Sequence, residues 1–114
     1  MSDCLFCKIR DDQIPARVVY RDAHCLAFED LRPQAPTHLL IIPNKHIATI
    51  NALGTDDREL MGQLFVVAAG LAKERGHAEN GYRLVMNTLG DAGQTVFHIH
   101  LHLLAGRALN WPPG

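Results

Sequence analysis

Residues 98–102 read His-Ile-His-Leu-His, set inside an otherwise apolar run from Val96 to Leu104. In extended chain successive side chains point to opposite faces. This order therefore lines His98, His100 and His102 along one face at intervals of about 6.6 Å, with Phe97, Ile99, Leu101 and Leu103 on the other. A helix would carry His100 to the far side, so the run is read as a strand. Imidazoles beside a core sheet lose hydration, which costs free energy unless protein partners replace the water. A chain that accepts this cost three times in five residues is expected to use the rings for chemistry.

The rest of the chain supplies a scaffold for that strand. Val18-Val19-Tyr20 and Cys25-Leu26-Ala27-Phe28 are strand formers split by the polar Arg21-Asp22-Ala23, a hairpin pattern. His38 to Ile42 is a third strand, closed by Pro43. Tyr82 to Thr88 and Val96 to Leu104 supply the last two, joined by the glycine-bearing loop 89–94. The Leu5-Phe6-x-x-Ile9 spacing predicts one or two helical turns that end before Pro15. The main helix is expected to start near Asp56, with Glu59 completing a capping box. Its apolar stripe runs through Leu60, Leu64, Val67, Ala68 and Leu71, and Gly76 can take the left-handed conformation after its end. Five strands with one main helix between the third and fourth predict an α+β domain. Its sheet is mostly antiparallel, with the helix on one face and the histidines on the other. No linker, repeat or composition break divides the 114 residues, so residues 1–114 are read as a single domain.

Composition narrows the partners. A net charge of −1, with both signs scattered along the chain, offers no footprint for a nucleic-acid backbone. No run is long enough to span a bilayer and the first residues lack the pattern of a secretion signal, so neither a nucleic-acid nor a membrane partner is expected. Three cysteines, two of them as Cys4-x-x-Cys7 and the third at Cys25, suit a reducing, cytoplasmic setting better than a disulfide framework. A small ligand is the expected partner.

The His98 to Leu104 string resembles the signature of the histidine triad family of nucleotide hydrolases and transferases. Cys25-Leu26-Ala27-Phe28, Pro33-Gln34-Ala35-Pro36-Thr37-His38, Ile42-Pro43-x-Lys45-His46-Ile47, Gly81-Tyr82-Arg83, Gly93-Gln94-x-Val96 and the terminal Trp111-Pro112-Pro113-Gly114 extend the likeness over nearly the whole chain, in the manner of its Hint branch. The resemblance implies a homodimer whose two sheets join. It also implies a purine nucleoside monophosphate ligand and hydrolysis of a purine nucleoside 5′-phosphoramidate, an adenosine 5′-monophosphoramidase type of activity. His100 then matches the nucleophile that forms a nucleotidyl-histidine, and His98, His102 and His38 match the groups around it. A neutral imidazole suits this work, since its pKa lies near 6.5 and its phosphorus–nitrogen adduct is labile to water. His102 and His38 can donate to phosphate oxygens, while Gly93, Gln94, Thr95 and Val96 match the phosphate loop, with Thr95 standing where relatives usually carry serine. Asp30 matches the carboxylate that accepts both ribose hydroxyls, and Leu31, Phe28, Phe6 and Ile9 match the apolar residues around the base. Asn87 is expected on the strand beside the histidine strand, within reach of the nucleoside or phosphate. Trp111 is expected at the partner subunit's site or on the dimer seam.

Cys4-x-x-Cys7 is also half of a common zinc site, and His46 and His98 can supply the other half. Some branches of the family carry such a zinc, which predicts a structural ion and no cofactor for the chemical step. Two other classes compete with this reading. A catalytic zinc held by all three triad histidines is poorly served by one strand, whose outer rings lie roughly 13 Å apart while ligand nitrogens sit about 2 Å from the metal. A nucleotide-binding or scaffold module would use the same pocket without turnover. Within the family, dinucleoside polyphosphate hydrolysis and nucleotidylyl transfer are the neighbouring activities.

Overall fold

The computed structural model describes residues 3–114. Five strands form one antiparallel sheet: β1 (Val18–Arg21), β2 (Cys25–Glu29), β3 (Thr37–Pro43), β4 (Tyr82–Val85) and β5 (Leu101–Ala105), in the order β1-β2-β3-β5-β4. Three α-helices accompany them: α1 (Leu5–Arg10), α2 (Arg58–Glu74) and the single turn α3 (Leu89–Ala92). This is the expected α+β architecture, with every strand pair antiparallel.

Alternation along the central strands gives the sheet two apolar faces. Cys25, Ala27, Leu39, Ile41, Leu101 and Leu103 meet Leu64, Val67, Ala68, Leu71 and Ala72 of α2, so the stripe read from the sequence is the helix's buried side. The in-between residues Leu26, Phe28, Leu40 and Ile42 pack against Phe6 and Ile9 of α1. A long helix covers one face and six residues of helix cover part of the other. The uncovered remainder of that second face is where His38 and His102 emerge.

Some local readings shift. The helix cap falls one residue later than expected: Asp57, not Asp56, turns its carboxylate inward, accepting the Gly54 N–H at 2.9 Å and the Lys45 ammonium at 2.7 Å. Those bonds hold the Asp57 carboxyl below the usual range, the Gly54 amide being the larger cause. Gly76 does take the left-handed conformation, at φ +84°.

The histidine strand is also shorter than its spelling suggests, for ladder pairing begins only at Leu101. The β3–β5 register sets Ile41 against Leu101, and continuing it would set Pro43 against Ile99. Proline has no N–H for a ladder, so pairing stops there. Ile99 donates instead to the Ile47 carbonyl at 2.8 Å. β4 likewise ends at Val85, so Asn87 lies past the last rung. Residues 96–100 are thus released from the sheet, with the chain bent over 96–98, and aim side chains where the ladder would not.

Candidate active site

His38 and His102 come from neighbouring strands and meet across the sheet, Nε2 of one 2.9 Å from Nδ1 of the other. The backbone settles who donates. Gln34 N–H donates to His38 Nδ1 at 3.0 Å, so the neutral His38 ring carries its proton on Nε2. That proton faces His102 Nδ1, with Asp30 Oδ2 as a second acceptor 3.4 Å away. His102 must then hold its own proton on Nε2, as a donor. Burial pushes the pKa of His102 down to about 4, with the charges of His100 and His38 adding to the effect. Burial also lowers His38, against the pull of Asp30. Both rings are neutral at physiological pH. Asp30, His38 and His102 stand close enough to suggest a metal triad, yet the Gln34 amide leaves His38 Nε2 protonated and unable to act as a ligand.

His100 is wired the opposite way. Its Nδ1–H donates to the His98 carbonyl at 2.8 Å, two residues back, which leaves the Nε2 lone pair uncommitted. Burial lowers its pKa as well, keeping that lone pair unprotonated at neutral pH. The ring is steadied edge-on by Phe6, at a centroid distance of 5.0 Å and 89° between planes, and it lies 4.9 Å from the ring of His102.

Both rings look into a cavity of about 350 Å³ that Phe6, Ile9, Phe28, Leu31, Asp30, Thr95 and Val96 also line. Phe6 and Phe28 meet edge to face at 5.4 Å, making one apolar wall. Asp30 sits at the rim, its Oδ1 accepting the Arg32 N–H at 2.7 Å. Leu31 is 91% exposed and reaches over the opening.

The remaining predicted residues divide. Asn87 does not line the cavity, because β4 stops short of it. Gly93 is the left-handed residue that ends α3, at φ +86°. Gln94 is buried and points away from the cavity: its Oε1 accepts the Leu89 N–H at 2.8 Å, and its Nε2 donates to the carbonyls of Ala48 at 2.8 Å and Val96 at 3.1 Å. It braces the loop that presents Thr95 and Val96. Trp111 is 82% exposed in the isolated chain.

His98, the first histidine of the string, is fully buried and belongs to another cluster. Its Nε2–H donates to the carbonyl of Pro43 at 2.8 Å, turning the Nδ1 lone pair toward Cys4 at 3.4 Å and Cys7 at 3.5 Å. His46 Nδ1 completes the group, 3.2 Å from His98 Nδ1 and 3.4 Å from Cys7 Sγ. A tetrahedral ion with nitrogen at about 2.0–2.1 Å and sulfur at about 2.3 Å needs ligand edges of roughly 3.3–3.8 Å; the four separations just given, 3.2–3.5 Å, come within a tenth of an ångström of that range, and all four atoms lie within 4.8 Å of one another. The Pro43 carbonyl on the outer nitrogen of His98 is the usual way a metal-binding imidazole is oriented. The donor set thus fits zinc. Cys25 stands apart, its thiol pushed up to about 12 by burial and by the Asp22 carboxylate, which makes it inert.

Known proteins are similar to this chain in sequence and fold. The chain is 49% identical over 108 residues to the purine nucleoside phosphoramidase of Escherichia coli K12, spanning 95% of this chain and 91% of that protein. It is 46% identical over 113 residues to a HIT-like protein of Synechocystis, with 99% and 98% covered. Among solved structures, a HIT family hydrolase from Legionella pneumophila superposes with a TM-score of 0.97 at 59% identity, over 98% of this chain and all of that one. A histidine triad protein from Clostridium difficile superposes at 0.93 with 40% identity, over 96% of each chain. The profile of the HIT domain matches residues 11–109, and the chain belongs to the HIT family.

Proposed function

We propose that this HIT family hydrolase cleaves the P–N bond of purine nucleoside 5′-phosphoramidates through a covalent nucleotidyl-His100. The observation that carries this reading is the opposite wiring of two adjacent rings: His100 offers a lone pair to the cavity, and His102 offers a proton. His100 Nε2 attacks the α-phosphorus, and the P–N bond breaks with its electron pair on nitrogen, which takes a proton from the Thr95 hydroxyl as that hydroxyl is reprotonated by solvent. Charge building on the phosphate oxygens meets His102 Nε2–H and the amide of Val96, donors already in place. Water then attacks phosphorus, the P–Nε2 bond returns its pair to the ring, and the water's proton passes to solvent. The base lies against Phe6, Phe28, Ile9 and Leu31, while Asp30 accepts the ribose hydroxyls. The 49% identity to a purine nucleoside phosphoramidase supports the same substrate class.

Zinc at Cys4, Cys7, His46 and His98 would be structural. It would supply charge and fixed geometry at the base of α1, away from phosphorus, and the chemical step needs no cofactor. The exposed rim of β4, an edge strand, supports a homodimer that continues the sheet across a two-fold axis. Among the described residues no helix is long and apolar enough to cross a membrane. The scattered charge supports a small ligand over a nucleic-acid partner.

The test is single-turnover reaction with adenosine 5′-phosphoramidate, quenched in alkaline denaturant, where a nucleotidyl-histidine persists. Adenylate attached to His100, identified by peptide mass, is the expected result. Turnover without an adduct, or faster turnover of a dinucleoside polyphosphate than of the phosphoramidate, would overturn the assignment.

A further inference from the structure

Proline bounds β3 at both ends. Away from Pro43 the β3–β5 ladder closes on Thr37 and Ala105, and continuing its register would set Gly106 against Pro36 and Arg107 against Ala35. Pro36 has no N–H, so pairing stops. The two chains stay pressed together all the same. Gly106 takes the left-handed conformation, at φ +96°, and a Cβ on it would lie 2.8 Å from the Pro36 Cβ, so no larger residue fits this crossing unstrained. The next residue then reaches back over the loop: Arg107 Nε and Nη2 both donate to the Gln34 carbonyl, at 3.0 and 2.9 Å, and Nη1 donates to the Ala108 carbonyl at 3.0 Å.

All three bonds end on backbone oxygens, so this guanidinium places main chain. The main chain it places is residue 34, whose N–H fixes the proton of His38. With its carbonyl tied to Arg107 and its N–H given to His38 Nδ1 at 3.0 Å, residue 34 cannot turn without breaking one bond or the other. Two charge-assisted donors on one oxygen make the first tether the stronger. Arg107 does not line the nucleoside cavity, so any effect on the reaction must pass through Gln34, His38 and His102.

We infer that Arg107 is a positioning residue: by holding residue 34 it sets the tautomer of His38, and through His38 the Nε2 proton that His102 offers to a phosphate. Without it the amide of residue 34 swings away and His38 Nδ1 is free to carry the ring's proton. His38 Nε2 then becomes an acceptor facing His102, whose own proton moves to Nδ1 to meet it. Each ring keeps one proton and stays neutral, but His102 now turns a bare lone pair toward the phosphate. The Asp30 carboxylate, 3.4 Å from His38 Nε2, still favours the original tautomer, so the expected state is a mixture. The kinetic consequence rests on the phosphoramidase reading; the tautomer itself does not.

The experiment compares wild type with Arg107→Ala and Arg107→Gln, each labelled with nitrogen-15 in its histidine rings. Ring correlation spectra at neutral pH should show the proton on Nε2 of His38 and His102 in wild type, and a share of both moved to Nδ1 in Arg107→Ala, with His100 unchanged. Losing a transition-state donor outright costs about a hundred- to a thousandfold, so a mixed tautomer should lower kcat for adenosine 5′-phosphoramidate about tenfold. KM should stay within about twofold, and the affinity for adenosine, which has no phosphate, should not change. Guanidinium chloride added to Arg107→Ala should restore both the spectrum and the rate, and Arg107→Gln, with a single donor group, should fall between. If Arg107→Ala does not fold, Arg107→Gln decides by the same readouts. Unchanged tautomers in the folded variants, or a loss of adenosine affinity equal to the loss of rate, overturn the inference. Failure of wild type to cleave the phosphoramidate overturns the phosphoramidase reading instead, and the ring spectra still decide the role of Arg107.

Discussion

One short string feeds two histidine groupings, and they differ in what their nitrogens have left to offer. In the pair His38–His102 the chain of donors runs outward: Gln34 N–H to His38, His38 to His102, and a last proton presented to the cavity. In the group Cys4, Cys7, His46 and His98 the lone pairs run inward and converge, with two ring nitrogens 3.2 Å apart. The first arrangement suits an anion and the second a cation. Residue type does not decide between them. What decides is the backbone group on the far nitrogen: a donor at His38, an acceptor at His98.

The contrast is best broken at the ring that belongs to neither grouping. His100→Ala should lower kcat for adenosine 5′-phosphoramidate about ten-thousandfold while AMP affinity stays within a few-fold. A loss of binding equal to the loss of rate would reduce the site to a binding pocket.

Acid should act on both groupings together. His38, His98, His100 and His102 all have folded-state values below the 6.5 of an unfolded histidine, His98 and His102 reaching about 4, chiefly through burial. Between those values the unfolded chain binds more protons, so stability falls as pH drops from about 6.5 to about 4, by several kcal/mol in sum. Urea unfolding of metal-stripped protein at pH 7.5, 5.5 and 4.5 measures this. A constant midpoint would mean that the rings gain charge without unfolding the protein.

Metal removal separates the groupings. Chelation, or Cys7→Ser, should lower the melting temperature by roughly 10 °C, the equivalent of about 2 kcal/mol, while kcat in still-folded protein falls less than about threefold. Abolished turnover in folded, stripped protein would move the ion into the chemistry. The smallest expected effect is at the rim: Asp30→Asn should raise KM about tenfold for ribonucleosides with little change in kcat. An equal change for a dideoxyribose analogue would separate Asp30 from the sugar.

Much of this was readable from residue order. The two-residue alternation placed Leu39, Ile41, Leu101 and Leu103 under α2 and His38 and His102 on the other face, because a half-covered sheet imposes that period. Cys4-x-x-Cys7 with His46 and His98 was likewise a legible set, and the four residues do converge. What the order did not reveal depended on contacts across the fold. Pro43 was visible as the end of its own strand, but its effect on the partner strand at Ile99 depends on register, which is a property of the pair. The same holds for Asn87, stranded beyond β4. Gln94 was expected at the phosphate loop, and the order did not reveal that its side chain braces that loop, because one of its partners, the Ala48 carbonyl, is distant in sequence. Asp57 displaced Asp56 as the inward carboxylate through Lys45, twelve residues upstream.

The missing amide hydrogen at Pro43 has one more effect. It marks where backbone pairing gives way to side-chain direction, since the carbonyl of that same residue, with no ladder to join on this side, takes the ring of His98. An ordinary residue there would let the two strands zip further and would draw His98 and His100 into the pleat. A single imino acid thus sets the border between the woven part of the molecule and the part that reacts, so Pro43→Val should impair the chemistry while adding to the sheet.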